Sequence, residues 1–223
     1  MIKNNTWKDF VEQQQSQKYF IDIILKYKNR QRTNITYPNE KDVFKAFELT
    51  DFDKIKVVII GQDPYMSICK QSNIPFANGL AFSVNSKCEL PQTLKNMFNE
   101  LDYDRTNGDL SDWANQGVFL LNSQLTVTKG RVNSHRYWKK FTDNVIKYIS
   151  DNSTNIVFVL MGRNALYKKR YIDENKHSII ITSHPSPNSC SRKLQSYQKF
   201  CGSNIFNQIN DELKRMKQKQ IKW

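Results

Sequence analysis

The chain has 223 residues, of which 39% are hydrophobic and 25% are charged. That length and apolar content suit one domain with a buried core, which excludes wholesale disorder. No stretch approaches about 18 consecutive apolar residues, so no membrane-spanning helix is expected. The net charge of +13 favours a polyanionic partner, with nucleic acid first and an anionic membrane surface second. Abundant Lys and Asn are also typical of an AT-rich genome, which accounts for part of that charge.

A single domain is predicted over residues 1–223. The ends, 1–5 and about 215–223, are expected to fray, the second unless Trp223 docks against the domain. The polar N-terminus lacks the apolar core of a signal peptide, so we expect an intracellular protein.

The cysteine spacing argues against a bound metal or cluster. No C-x-x-C pair occurs, so neither a zinc site nor an iron–sulfur cluster is predicted. Cys190 and Cys201 could lie close in space, but free thiols are expected in a reducing compartment. The four cysteines are Cys69, Cys88, Cys190 and Cys201.

Hydrophobic periodicity predicts helices alternating with strands. Apolar residues recur at helical spacing over 6–28, a basic linker ends at Pro38, and a short helix follows around Phe44. Helical patterns separate four β-branched, apolar runs, an alternation that predicts a parallel sheet covered on both faces. These runs are 56–60, 117–121, 156–160 and 178–182.

Polar side chains follow three of the predicted strands. Asp63 lies in the loop after the first run, Asn122 ends the second, and His184 follows the fourth. Each alone is more typical of a helix cap, a turn or a structural hydrogen bond. Because ligands of parallel sheets bind at the carboxyl ends of the strands, one crevice could collect all three. Together with Phe82, they suit a planar, hydrogen-bonding ligand such as a nucleobase.

The segments that carry these residues resemble family 1 uracil-DNA glycosylases. Val57-Val-Ile-Ile-Gly-Gln-Asp-Pro-Tyr65 is similar to their water-activating loop, and His184-Pro-Ser-Pro187 to their second signature. The likeness extends over about residues 7–223. Intervening matches include 79–84, 108–127, 133–135 and 141–143.

The resemblance implies a three-layer α/β/α fold with a central four-stranded parallel sheet. It implies a monofunctional glycosylase that flips uracil out of single- or double-stranded DNA, releases it and leaves an abasic site, without metal or other cofactor. By resemblance, Asp63 orients the attacking water and stabilises a cationic sugar. His184 donates a hydrogen bond to uracil O2 and so supports the departing uracil anion.

The same resemblance assigns the recognition of the base. Asn122 would read the O4 and N3 edge of uracil, which differs from that of cytosine by swapped donor and acceptor groups. Phe82 would stack on the base. Tyr65 would occupy the space of a thymine methyl group, and the Gln62 backbone would help to close the pocket.

Two positions depart from the family pattern beside the predicted pocket. Met66 stands where the family usually has a His associated with the DNA backbone, so a charge-assisted phosphate contact should be lost. Asn188 stands where the family usually has a Leu that wedges into the duplex. Asn is short and polar, so the weaker wedge should affect duplex substrates most.

Two long loops are predicted near the DNA. One spans 67–76, and the other spans 192–199. In the second loop, Leu194 or Tyr197 could replace the missing wedge, while Arg192 and Lys193 hold phosphates. The alternative is that both loops are solvated surface insertions.

Other polar residues have two interpretations each. Thr93, Ser186 and Ser189 match positions that contact phosphate in the family, but each also suits a turn or cap. His135 is expected to be structural and His177 to be exposed.

Three functions remain open from the sequence. The first is an active glycosylase whose partners are uracil-containing DNA and an inhibitor protein that mimics DNA, with no membrane, and which acts as a monomer. Its expected location is the cytoplasm of a bacterium, or the nucleus or cytoplasm of a host cell for a virus. The second is a replication accessory protein on the same fold with weakened catalysis. The third is a glycosylase with broader base choice, which Tyr65 and Asn122 disfavour.

Overall fold

The computed structural model describes residues 2–70 and 72–223, so Met1 of the predicted domain and Gln71 of the 67–76 loop lie outside it. Strands and helices alternate along this part of the chain. The strands are β1 (Thr36–Tyr37), β2 (Val57–Gly61), β3 (Val118–Asn122), β4 (Val127–Thr128), β5 (Val157–Met161) and β6 (Ser178–Thr182). The α-helices are α1 (Lys8–Gln15), α2 (Lys18–Thr33), α3 (Lys45–Leu49), α4 (Gln92–Phe98), α5 (Ser111–Ala114), α6 (Lys139–Asn152), α7 (Arg163–Leu166) and α8 (Ile205–Arg215).

The central sheet has four parallel strands in the order β3-β2-β5-β6. Every residue of β2, β3 and β5 is buried, as expected for strands covered on both faces. The register pairs Gly61 with Asn122 at the carboxyl edge, and Met161 with Thr182. With helices flanking this sheet, the three-layer α/β/α prediction is confirmed.

Aromatic side chains pack one helical layer onto the sheet. The Phe47 ring lies 5.2 Å from Phe119 of β3 and 6.0 Å from Phe141 of α6, between ring centroids. Trp7 packs against the same Phe119, with centroids 5.1 Å apart. These rings are fully buried, so they fix α3 and α6 against the strands that carry the site.

The predicted helix over 6–28 is broken in two. Gln17 has an extended backbone, φ −90° and ψ 128°, between α1 and α2. Phe10 and Phe20 both contact Phe141, with centroids 5.6 and 5.3 Å from its ring. A straight helix would separate two residues ten positions apart by about 15 Å. The break therefore lets both rings reach one place in the core, which the periodicity alone did not reveal.

Two of the four cysteines are paired, and the other two are the free thiols that the sequence led us to expect for Cys190 and Cys201. Cys69 and Cys88 form a disulfide, with Cα atoms 5.4 Å apart, whereas Cys190 and Cys201 are free. Ile68, next to Cys69, forms an antiparallel bridge with Pro75. This pairing depends on loop geometry that cysteine spacing does not encode.

Two residues, His177 and Trp223, pack against the domain, although each lies in a polar stretch of the sequence. His177, expected to be exposed, is buried; its Nδ1 accepts the Ile156 N–H, and its Nε2 lies 2.9 Å from the Ser150 carbonyl. The ring centroid of Trp223 lies 5.1 Å from that of Trp113. Trp223 is therefore docked against the domain, which was the condition for a C-terminal tail that does not fray. No helix among residues 2–70 and 72–223 is long and apolar enough to cross a membrane.

Candidate active site

The carboxyl edge of the sheet carries a cavity of about 240 Å³. It brings together Asp63, Asn122 and His184, which follow three different strands of the sheet. Every residue predicted for the base pocket lines this cavity, as do Thr93 and Met66. The full lining is Gly61, Gln62, Asp63, Pro64, Tyr65, Met66, Phe82, Thr93, Asn122, Val127, Val132 and His184.

Asp63 presents one satisfied and one unsatisfied carboxylate oxygen. Its Oδ2 accepts the Asn133 backbone N–H at 3.0 Å and the Gln62 amide at 3.3 Å. Its Oδ1 is buried and has no partner within the described part of the chain. Burial raises the pKa of this carboxyl above its usual value, and the two donors and nearby cations only partly oppose that rise. The free oxygen can therefore accept a hydrogen bond from a water molecule in the cavity.

His184 is held as a neutral imidazole with a defined donor. Its Nδ1 lies 3.1 Å from the Ser186 backbone N–H, which donates to it. Burial lowers the pKa of His184 below its ordinary value. With Nδ1 accepting, the proton of the neutral ring must lie on Nε2. Nε2 has no partner among residues 2–70 and 72–223, so it is available as a donor to a ligand.

Asn122 can approach the site because residue 61 is a glycine. The two residues are paired across β2 and β3. A Cβ atom added at Gly61 would lie only 2.3 Å from Asn122 Oδ1. The Asn122 side chain is buried and makes no hydrogen bond to the rest of the described chain. A buried carboxamide without a protein partner is suited to a ligand that pairs with it.

Two aromatic rings shape the cavity. Phe82 has a left-handed backbone, φ 64°, and its ring centroid lies 5.9 Å from that of His184. The preceding Ala81 N–H donates to the Leu120 carbonyl of β3, which anchors this segment to the sheet. The Tyr65 hydroxyl is buried without a partner in the described residues, and burial raises the pKa of Tyr65. Its ring is therefore a bulky wall of the cavity.

A side-chain network behind Asp63 was missed by sequence reasoning. Asn133 Oδ1 accepts the Gln62 amide at 3.2 Å and the Gln124 amide at 3.1 Å. Asn133 has φ 54°, a left-handed conformation that Asn tolerates better than most residues. The Asn133-Ser-His135 match was the available signal, but it did not show which side chains meet there.

His135 is structural, as expected. It is fully buried, with Nδ1 2.6 Å from the Thr126 hydroxyl and Nε2 3.0 Å from the Thr128 hydroxyl. Burial, with a smaller contribution from the charge of Arg30, lowers the pKa of His135 to about 4. A neutral ring bonded on both sides fixes the segment that supports Asn133.

The predicted phosphate contacts divide between two places. Thr93 lines the cavity described above, whereas Ser186 and Ser189 line a neighbouring one. Asn188 is exposed beside them. These four side chains thus lie on the same edge of the molecule as Asp63.

The second long loop forms a tight turn. Leu194 and Tyr197 form a β-bridge, and the Tyr197 N–H donates to the Leu194 carbonyl at 2.8 Å. Both side chains are half-buried and pack against the core, whereas Arg192 and Lys193 are exposed. The two cations are free to meet a polyanion, but the two apolar side chains are partly engaged within the protein.

Comparisons with known proteins identify the family of the chain. Residues 47–214 match the sequence model of the uracil DNA glycosylase superfamily. The chain belongs to the uracil DNA glycosylase superfamily. Uracil-DNA glycosylase of Mycoplasmopsis pulmonis is 44% identical over 231 residues, which cover 100% of this chain and 99% of that protein. The homologous enzyme of Aliarcobacter butzleri is 40% identical, over 98% of this chain and 100% of that protein.

A solved structure supports the same family assignment. The crystal structure of mimivirus uracil-DNA glycosylase superposes with a TM-score of 0.93 at 32% identity, covering 100% of this chain and 87% of that one. A mimivirus variant in complex with UGI superposes with a TM-score of 0.91 at 33% identity, over 98% and 87% of the two chains. The resemblance drawn from the sequence is therefore confirmed.

Proposed function

We propose that this site hydrolyses the bond between uracil and deoxyribose in DNA, releasing uracil and leaving an abasic site. One observation carries the assignment of roles. The lining of a single cavity includes a carboxylate with a free oxygen (Asp63), a neutral imidazole with a free donor (His184) and a free carboxamide (Asn122). This arrangement matches the charges that develop when a glycosidic bond breaks.

Asp63 acts on the sugar. As the bond between C1′ and N1 lengthens, the deoxyribose becomes positively charged, and a half-buried carboxylate stabilises that charge more strongly than water would. Oδ1, which has no protein partner, accepts a hydrogen bond from the water that attacks C1′. The Asn133 N–H holds Oδ2 and so fixes the orientation of the carboxylate. The proton of the attacking water leaves through this carboxylate to solvent.

His184 acts on the departing base. The electron pair of the broken bond moves to uracil, whose negative charge is shared with O2. The Nε2–H donates a hydrogen bond to O2, which strengthens as that charge grows. Because burial lowers the pKa of His184, the ring serves as a neutral donor and the uracil leaves as an anion.

Asn122 and Tyr65 select the base. The Asn122 carboxamide donates to O4 and accepts from N3–H of uracil, whereas cytosine presents the opposite groups and would leave both amide atoms unpaired in a buried site. Thymine differs only by a methyl group, which the Tyr65 ring excludes by its bulk. Phe82 stacks on the base, and Gln62 closes the pocket through its backbone.

The two other interpretations are not favoured. A replication accessory protein would have no need of an unpaired Asp63 oxygen and an unpaired His184 donor in one cavity. A glycosylase with broader base choice would need space where the Tyr65 ring stands. The curated relatives named above are uracil-DNA glycosylases, which agrees with an active enzyme of base excision repair.

Beyond DNA, an inhibitor protein is a further proposed partner of this chain. A mimivirus relative was solved in complex with UGI, which supports the proposal that this chain also binds a DNA-mimicking inhibitor protein. We also propose that residues 1–223 form one domain, which acts as a monomer. We place its action where cellular or viral DNA lies, inside the cell.

The test is release of free uracil from a single-stranded oligonucleotide that contains one deoxyuridine, in buffer with excess EDTA. We expect uracil and an abasic strand that alkali cleaves, and no product from a matched thymidine oligonucleotide. Lack of uracil release from the single strand would contradict the proposal, because that substrate requires no duplex wedge.

A further inference from the structure

Two exposed apolar side chains lie at the opening of the base pocket. Met66 and Val132 line the same cavity as Asp63, and 61% of the Val132 surface is exposed. Residues 2–70 and 72–223 include seven large apolar side chains that are exposed, and these two are the ones that line this cavity. We call this pair the apolar rim. Adjoining apolar surface that stays exposed beside a binding site is typical of a surface that a ligand covers.

Backbone hydrogen bonds fix the apolar rim relative to Asp63. The Gly130 N–H donates to the Met66 carbonyl at 2.9 Å, which joins Met66 to the turn that precedes Val132. The residue after Val132 is Asn133, whose N–H donates to Asp63 Oδ2 at 3.0 Å. Because Asp63 acts on the sugar in the proposed mechanism, the apolar rim lies on the sugar side of the pocket.

Two cations lie in the turn beside the apolar rim. Lys129 and Arg131 are exposed, and the turn is closed by a bridge between Thr128 and Arg131. Neither cation forms an ion pair within the described part of the chain, and the one carboxylate that lines the cavity is that of Asp63. Apolar surface beside such cations is typical of sites for single-stranded nucleic acid, where bases lie on side chains and cations attract the backbone.

We propose that the apolar rim receives the base next to the flipped uracil in a single strand. This inference rests on the proposed function, since uracil in the pocket determines where its neighbour lies. Successive nucleotides are joined through their sugars, so the strand leaves the pocket on the sugar side, where the apolar rim lies. An unpaired neighbouring base can place its flat face on Met66 and Val132, which removes apolar area of both partners from water. In a duplex that base stays paired and stacked, so the contact is specific to single-stranded substrates.

The contact is measured by removing the neighbouring base from the substrate. Single-stranded oligonucleotides carry one deoxyuridine, and a tetrahydrofuran abasic analogue replaces the nucleotide on its 5′ side or on its 3′ side. For the wild type, one of the two replacements should raise KM about fivefold, because it removes the apolar area that the rim covers. The turnover number kcat should stay unchanged, since the uracil itself keeps all of its contacts.

A double variant removes the apolar rim from the protein. Met66→Ser combined with Val132→Ser should raise KM for the unmodified strand about fivefold. The abasic replacement should then have no further effect, because the neighbouring base has already lost its partner. Met66→Leu combined with Val132→Ile keeps the surface apolar and should behave as the wild type does. The matched control is Leu25→Ser, which removes an exposed apolar side chain of α2 and should leave KM and its dependence on the neighbouring base unchanged.

The outcomes distinguish this inference from the proposed function. A wild-type enzyme that releases no uracil would contradict the proposed function itself. An active wild type whose KM is the same with and without either neighbouring base would overturn the role of the apolar rim alone. The double serine variant would also overturn it by keeping the full dependence on the neighbouring base. Weaker inhibition of that variant by free uracil would overturn it as well, because the two side chains would then support the pocket itself.

Discussion

Replacing Asp63 by Asn removes the charge of the carboxylate and preserves its shape. In the wild type, Oδ2 accepts the Asn133 N–H at 3.0 Å, and the amide oxygen of Asn can accept the same bond. The pocket is therefore expected to keep its geometry. The substitution removes only the negative charge that stabilises the positively charged sugar in the transition state.

The magnitude follows from the surroundings of Asp63. Opposite unit charges about 4 Å apart attract by about 4 kcal/mol at an effective dielectric constant of about 20. Asp63 is half-buried, and the charges of Arg136 and Lys139 also act on it. Both features weaken its effect on the sugar, so about 4 kcal/mol is an upper limit. Asp63→Asn should thus slow uracil release by up to about a thousandfold.

The same substitution should not destabilise the fold. Burial raises the pKa of Asp63 in the folded protein. A carboxyl with a raised folded pKa favours folding below its unfolded pKa, and that contribution is lost as pH rises through the folded pKa. At neutral pH the charged group is therefore a cost, and Asp63→Asn should melt at or above the temperature of the wild type.

The assay is single-turnover uracil release from a single-stranded oligonucleotide, with thermal melting of both proteins in the same buffer. The wild-type rate should also fall on the acid side with an apparent pKa above 3.8, the ordinary value for Asp, and the variant should lack this limb. A variant that releases uracil at the wild-type rate would refute the electrostatic role. A markedly lower melting temperature would refute the argument from burial.

Three other substitutions test two residues of the pocket and the proposed wedge. Gly61→Ala would place a Cβ 2.3 Å from Asn122 Oδ1, so kcat/KM for uracil should drop at least about tenfold; an unchanged value would show that the amide is not needed there. Tyr65→Ala should open space for a methyl group, and release of thymine from DNA measures it; no thymine release would count against steric exclusion. Leu194→Ala should lower turnover on duplex DNA more than on single strands if this side chain acts as the wedge. Unchanged duplex turnover would remove Leu194 from the DNA interface.

The sequence predicted the sheet well because its signal is local. Buried parallel strands are continuous apolar runs, and each of the four was found within one residue of its predicted bounds: 56–60, for example, became Val57–Gly61. Polar residues placed after such strands must meet at one edge, so the convergence of Asp63, Asn122 and His184 followed from topology. The apolar pattern of the strands, together with the rule that ligands bind at the carboxyl ends of parallel strands, was sufficient to place Asp63, Asn122 and His184 together.

The remaining features depend on contacts between segments distant in the chain. The break at Gln17 arises because Phe10 and Phe20 both pack on Phe141, which periodicity within one segment does not encode. The disulfide between Cys69 and Cys88 joins residues 19 positions apart, and the pairing of Ile68 with Pro75 beside it is likewise not encoded in the cysteine spacing.

Site details were hidden for the same reason. The Asn133 amide joins Gln62 to Gln124 only after three loops have met. Likewise, Leu194 could be proposed as a wedge because its side chain is apolar, but its partial burial depends on the turn that bridges it to Tyr197.

A crystal structure of the protein with free uracil tests the central claim most directly. The account predicts uracil in the cavity beside Phe82, with O2 within hydrogen-bonding distance of His184 Nε2. The Asn122 carboxamide should pair with N3 and O4, and a water molecule should bind Asp63 Oδ1. Uracil bound outside this cavity, or bound in it without contact to Asn122 and His184, would contradict the account.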